Sequence, residues 1–138
     1  MAATAIPRAL RAIPASVLVL VALSACSGDE TPAVCTDVDA VKDSVSALTD
    51  VKVEQGALTD LQDKLATVKQ DVAKLKSDAK SEFSTQLDAV DSATSTFTST
   101  LDAAVADPSV GTVGAVGPAL ESLGTALTDL ESAVEKTC

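Results

Sequence analysis

Apolar side chains recur at alternating steps of three and four residues through most of the chain after residue 33. Such steps keep the side chains on one side of an α-helix, which turns once in about 3.6 residues. Four stripes of this kind occur, at 34–48, 58–79, 83–105 and 116–134. They predict an all-α protein with four helices. The third stripe consists of Phe83, Leu87, Val90, Thr94, Phe97, Leu101 and Val105.

The breaks between the stripes differ in strength. Residues 49–56 lose the helical register and contain a glycine, so they are predicted to be a linker, and the proline within 107–109 ends the third helix. Residues 77–84 contain no strong breaker, and the sequence leaves open a turn or a continuous helix there. Pro118 is predicted in the first turn of the fourth helix, although a start near Val110 is also compatible with the pattern.

Residues 36–39 contain candidate capping groups at the start of the first helix. Thr36 or Asp37 is predicted to cap that helix, and Asp39 fits its first turn. The two aspartates are too sparse for a calcium loop, which draws about five oxygen ligands from twelve residues. Helix capping is therefore the preferred interpretation, and no metal is expected.

The first 25 residues have the three parts of a secretory signal peptide. Arg8 and Arg11 give a positively charged start, and residues 15–23 form an apolar run too short to cross a bilayer. Leu23-Ser24-Ala25-Cys26 follows, and the chain then becomes small, polar and acidic. We expect a signal peptide at 1–25, a flexible tether at 26–34 and a helical domain at 35–138.

Leu23-Ser24-Ala25-Cys26 resembles the lipobox of bacterial lipoproteins, in which an aliphatic residue and two small residues precede a cysteine. The resemblance implies cleavage before Cys26, a diacylglyceryl group on its sulfur, and an extracytoplasmic domain anchored to the cell membrane. Two acyl chains suffice for stable anchoring. The alternative is ordinary secretion, with Cys26 left as a free thiol.

Cys35 and Cys138 are the two other cysteines, and they bracket the helical domain. An exported chain meets an oxidising compartment, in which a cysteine pair persists as a disulfide. The alternative is two free thiols or an intermolecular bridge. An intramolecular bond brings the start of the first helix to the end of the last, which requires an even number of antiparallel passes. We therefore predict an antiparallel bundle of four helices with a short first helix; the alternative is a long helical hairpin.

The sequence argues against an enzyme. It contains no histidine, so a catalytic Ser–His pair is impossible and a common metal ligand is missing. The carboxylate pairs Asp88–Asp91 and Glu131–Glu135 lie off the apolar stripes and are expected to be solvated. Ser77 with Lys80 and Ser44 with Lys42 are interpreted as surface neighbours. We expect no catalytic residue, no cofactor and no metal.

Charge and hydroxyl content limit the partners. All 20 acidic residues and only eight of the ten basic residues follow Cys26, so no basic face exists for nucleic acid. Within 92–100, seven of nine residues carry hydroxyl groups. This segment is interpreted as an O-glycosylated stretch, a polar contact face or an ordinary solvated helix surface.

The lipobox, the short tether, the Ala- and Val-rich helices and the terminal cysteine together resemble small alanine-rich helical lipoproteins of high-GC Gram-positive bacteria. Leu48-Thr49-Asp50-Val51-Lys52-Val53 and Lys80-Ser81-Glu82-Phe83 share this likeness. The resemblance implies a location and a helical fold but no activity. We expect a non-enzymatic interaction or structural module that contacts the membrane through its lipid and an envelope protein through its surface. The alternative is a carrier that holds an acyl chain or another apolar ligand between the helices.

Overall fold

The computed structural model describes residues 31–79 and 81–138, and this part of the chain is an antiparallel bundle of four α-helices. The helices are α1 (Ala33–Thr49), α2 (Leu58–Asp78), α3 (Ser84–Ala106) and α4 (Val110–Val134). Single turns of 3₁₀ helix at Gln55–Ala57 and Ser81–Phe83 precede α2 and α3. The predicted signal peptide and most of the predicted tether, including Cys26, lie outside the described residues.

The apolar stripes form one continuous core, as the sequence predicts. Every Val and Leu of the first, second and fourth stripes is buried, and Phe97 of the third is fully enclosed. The prediction is wrong at one position of the third stripe. Val105 is 39% exposed, and the neighbouring Ala104 is buried instead. Near its end, α3 therefore turns the smaller side chain inward.

The alternative of a long hairpin is excluded by a turn between α2 and α3. Ala79 has an extended backbone (φ −78°, ψ 144°) after the end of α2, and the 3₁₀ turn at Ser81–Phe83 starts the reversal. Phe83 is buried in the core at this turn. An aromatic anchor therefore fixes a reversal that no glycine or proline marks in the sequence.

The bundle has a disulfide end and a distal end. The start of α1, the α2–α3 turn and the end of α4 meet at the disulfide end. The loops 50–57 and 107–109 meet at the distal end, where Gln55 Nε2 donates to the carbonyl of Pro108 over 2.6 Å. Side-chain contacts such as Lys42 with Glu131 and Lys76 with Asp91 join α1 to α4 and α2 to α3 in this arrangement.

The start of α1 differs from the sequence prediction, and the start of α4 is the earlier of the two that the sequence left open. α1 begins at Ala33, directly after Pro32, so that neither Thr36 nor Asp37 caps it and Asp39 lies beyond its first turn. The last two residues of the predicted tether, 33 and 34, therefore belong to α1. α4 begins at Val110, where Ser109 and Thr112 form a reciprocal capping box. Pro118 consequently lies inside α4 rather than in its first turn.

Candidate functional site

The two cysteines of the domain meet at the disulfide end. The sulfur atoms of Cys35 and Cys138 lie 2.12 Å apart, with their Cα atoms at 5.8 Å, which confirms that the pair is at disulfide distance. The residues are 103 positions apart in the sequence. A bond here closes nearly the whole domain into one covalent loop. Cys26, the predicted lipidation site, lies outside the described part of the chain.

One carboxylate of each pair singled out in the sequence forms an exposed ion pair. Asp91 Oδ2 lies 2.9 Å from Lys76 Nζ, and Glu131 Oε1 lies 2.6 Å from Lys42 Nζ. These contacts raise the pKa of each lysine through the hydrogen bond and the charge of its carboxylate. More than two fifths of each carboxylate side chain is exposed, so neither group has the desolvated environment that acid–base catalysis requires.

Ser44 was expected on the surface but is buried. It is 9% exposed and donates to the carbonyl of Val41 over 3.0 Å. A buried hydroxyl bonded to its own helix is satisfied structurally and is not presented to a substrate. The side chain of Lys80, the predicted neighbour of Ser77, lies outside the described residues.

A buried charge that the sequence analysis missed lies near the disulfide. The side chain of Asp37 is 4% exposed, and its Oδ1 contacts Lys74 Nζ on α2. Lys74 also contacts Asp78 over 2.9 Å; the two carboxylates raise the pKa of Lys74, and Lys74 lowers that of Asp78. Asp37 Oδ2 is buried and has no hydrogen-bond partner among the described residues. This cluster of one lysine between two carboxylates joins α1 to α2.

The hydroxyl-rich segment of α3 lines a groove of about 420 Å³ against α2. Thr94, Thr96, Thr98, Ser99 and Thr100 each donate to the carbonyl four residues earlier. Because these protons are already used, the hydroxyl oxygens remain only as acceptors, and that of Thr94 is buried. Lys69 and Lys76 form the opposite wall, so this groove is polar.

A larger open groove lies at the distal end, because α1 is shorter than α4. At about 1.5 Å per residue, the 17 residues of α1 span about 25 Å and the 25 residues of α4 about 37 Å. On one side, the first two turns of α4 therefore face the loop 50–57 instead of α1, while α3 lies beside them on another. A volume of about 710 Å³ remains between them. Its lining residues are Val53, Glu54, Gln55, Gly56, Ser109, Val110, Val113, Gly114 and Gly117.

Apolar side chains and bare helix backbone dominate this distal groove. Val110 is 91% exposed, and Val53 and Val113 are half-buried. No atom lies within 4 Å of the position that a Cβ would take at Gly114 or Gly117. A neighbouring molecule could therefore approach the backbone of α4 closely at this point.

Among the described residues, none of the helices has the length and hydrophobicity of a membrane span. The same residues contain no group of three or more His, Cys, Asp or Glu side chains placed to hold a metal ion. Comparison with known proteins adds no assignment, since no protein family, curated protein or solved structure matches the chain.

Proposed function

We propose that this chain is an extracytoplasmic lipoprotein, anchored through Cys26, whose helical bundle serves as a non-enzymatic contact module at the cell envelope. The observation that carries the proposal is the separation of the two ends. The chain enters the bundle at the disulfide end, and the largest apolar groove opens at the distal end, about 37 Å away along α4.

An anchor on Cys26 would hold the disulfide end nearest the membrane, because α1 begins only seven residues after that cysteine. The distal groove would then point away from the membrane, where an envelope protein could reach it. The lipid fixes the location, and the bundle acts as a spacer that presents the groove.

Contact is better supported than carriage of an apolar ligand. A carrier needs an enclosed apolar cavity, whereas both grooves described above are open to solvent. The groove between α2 and α3 is lined partly by lysines and hydroxyls. To hold an acyl chain, the helices would have to separate and expose the closely packed Val and Leu core.

The anchor is tested by replacing Cys26. We expect Cys26→Ala to move the protein from the membrane fraction almost entirely to the soluble fraction, because the acyl chains supply its membrane affinity. Immunoblotting of fractionated cells measures the distribution. Ser24→Ala is the matched control, since it keeps a small residue before the cysteine and should leave the protein membrane-bound. A Cys26→Ala protein that remains with the membrane would show that the anchor assignment is wrong.

A further inference from the structure

The fold itself gives no reason for the glycines that line the distal groove. Glycine within a helix is destabilising relative to alanine. Gly114 and Gly117 have ordinary helical φ, and the space beside each is open. A fully exposed Val110 begins the same two turns. Glycines within a helix and an exposed valine oppose the usual preferences for helix formation and burial. Residues that do so without a structural gain are typical of functional surfaces. Small residues alone do not identify the molecule that binds.

The charge around the groove indicates the partner. Six acidic residues lie at this end, namely Asp50, Glu54, Asp60, Asp63, Asp102 and Asp107, together with two lysines, Lys52 and Lys64. The ion pairs of the described residues involve Lys42, Lys74 and Lys76, so none of these six carboxylates forms an ion pair with a lysine there. Glu54 lines the groove itself. The groove is thus an apolar surface with an acidic rim, and no lysine of the described residues pairs with the carboxylates of this rim.

We propose that the distal groove binds an amphipathic segment of a partner protein whose apolar side chains are flanked by lysine or arginine. This inference rests on the proposed function as a contact module and adds the chemistry of the partner. The valines and bare backbone would receive the apolar side chains, and the acidic rim would pair with the basic ones.

Charge also argues against a second copy of this chain, or an anionic membrane, as the occupant of the groove. A second copy of this chain would bring the same acidic rim against itself, and like charges at an interface are repulsive. An anionic membrane would be repelled for the same reason. A basic protein segment is the occupant that both the apolar surface and its rim favour.

The test uses two designed helical peptides with the same leucine pattern, one with lysine and one with glutamate at every polar position. They are titrated into the ¹⁵N-labelled Cys26→Ala protein and followed by amide chemical shifts. We expect the lysine peptide to shift the amides of 53–56 and 109–117, with an affinity that falls as salt is added. We expect the glutamate peptide to shift neither segment.

Matched charge reversals test the rim. Glu54→Lys with Asp107→Lys should weaken binding of the lysine peptide at least about tenfold, because charges at an interface contribute strongly to recognition. Glu82→Lys with Glu135→Lys makes the same change in net charge at the disulfide end. Its effect should stay within about twofold, because α2 separates the ends by about 30 Å, several times the Debye length of about 8 Å.

The outcomes separate the two proposals. If both peptides shift the groove equally, the distal end remains a contact surface and the basic partner is wrong. If the lysine peptide does not bind, or shifts mainly the disulfide end, both the inference and the distal contact surface fail. Dimerisation through the groove in sedimentation, or shifts of 109–117 on adding anionic vesicles, would replace the basic partner with a second copy or a membrane.

Discussion

Asp37 shows how one residue can join two helices. Its carboxylate lies in the interface between α1 and α2, and Lys74 reaches it from the surface, with 63% of the lysine side chain exposed. A buried carboxylate is costly unless it is paired, and removing its partner leaves that cost unopposed. Lys74 should therefore contribute more to stability than a lysine of the same helix whose partner carboxylate is exposed.

Replacing the two paired lysines of α2 measures this difference. Lys74→Met should lower the melting temperature clearly more than Lys76→Met, because the partner of Lys74 is 4% exposed whereas Asp91, the partner of Lys76, is 56% exposed. Adding Asp37→Val to Lys74→Met should recover most of the loss, since an apolar pair removes the buried charge. Thermal unfolding by circular dichroism gives the comparison; equal losses from the two lysine variants would contradict it.

The sequence could reveal the core residues but not Asp37 or Ser44. Apolar spacing marks the centre line of each buried face, and almost every residue on those lines is buried. Asp37 and Ser44 lie seven residues apart, beside the line in α1, and share one flank of the helix. In a bundle each helix contacts two neighbours, so its buried face is wider than the stripe. A polar residue on the flank gives no hydrophobic signal.

The start of α4 is the element that sequence rules describe least well. Three glycines and Pro118 lie within residues 111–118, and their intrinsic preference opposes a helix. Proline within a helix removes an N–H, here the one that the carbonyl of Gly114 would accept. The Ser109–Thr112 capping box, with Thr112 N donating to Ser109 Oγ over 3.2 Å, fixes the start eight residues before the proline.

Pro118→Ala distinguishes the two possible starts of α4. With Pro118 inside the helix, the change removes a penalty of about 3 kcal/mol, offset by about 1 kcal/mol from greater freedom in the unfolded chain, and should raise the free energy of unfolding by about 2 kcal/mol. If α4 began at Pro118 instead, the change would be neutral or destabilising. Urea denaturation measures it, with Ala119→Gly as a control that should destabilise α4 in either case.

The turn between α2 and α3 illustrates a limit of pattern reasoning at the level of elements. No glycine or proline marks it, and the stripes on either side remain nearly in register, so the sequence left open a continuous helix. The reversal depends on tertiary packing, with Phe83 buried immediately after the turn. Where apolar contacts decide a boundary, local residue preferences carry little information about it.

At the scale of the whole molecule, the disulfide and the unequal helix lengths determine the arrangement. Cys35 and Cys138 hold the start of α1 to the end of α4, so the missing length of α1 appears at the opposite end, as the distal groove. Closing a loop of about 100 residues is worth up to about 4–5 kcal/mol in the chain-entropy account. The same bond thus stabilises a small domain and separates its point of entry from its proposed contact surface.

This arrangement depends on the pairing of Cys35 with Cys138, which peptide mapping of the non-reduced mature protein tests most directly. Cleavage on the N-terminal side of aspartate separates Cys35 from Cys26, so the account predicts one species in which residues 29–36 are joined to residues 129–138. Reduction should separate the two peptides and add the mass of two hydrogens. Recovery of both thiols alkylated without prior reduction, or a bridge between two chains, would contradict the account.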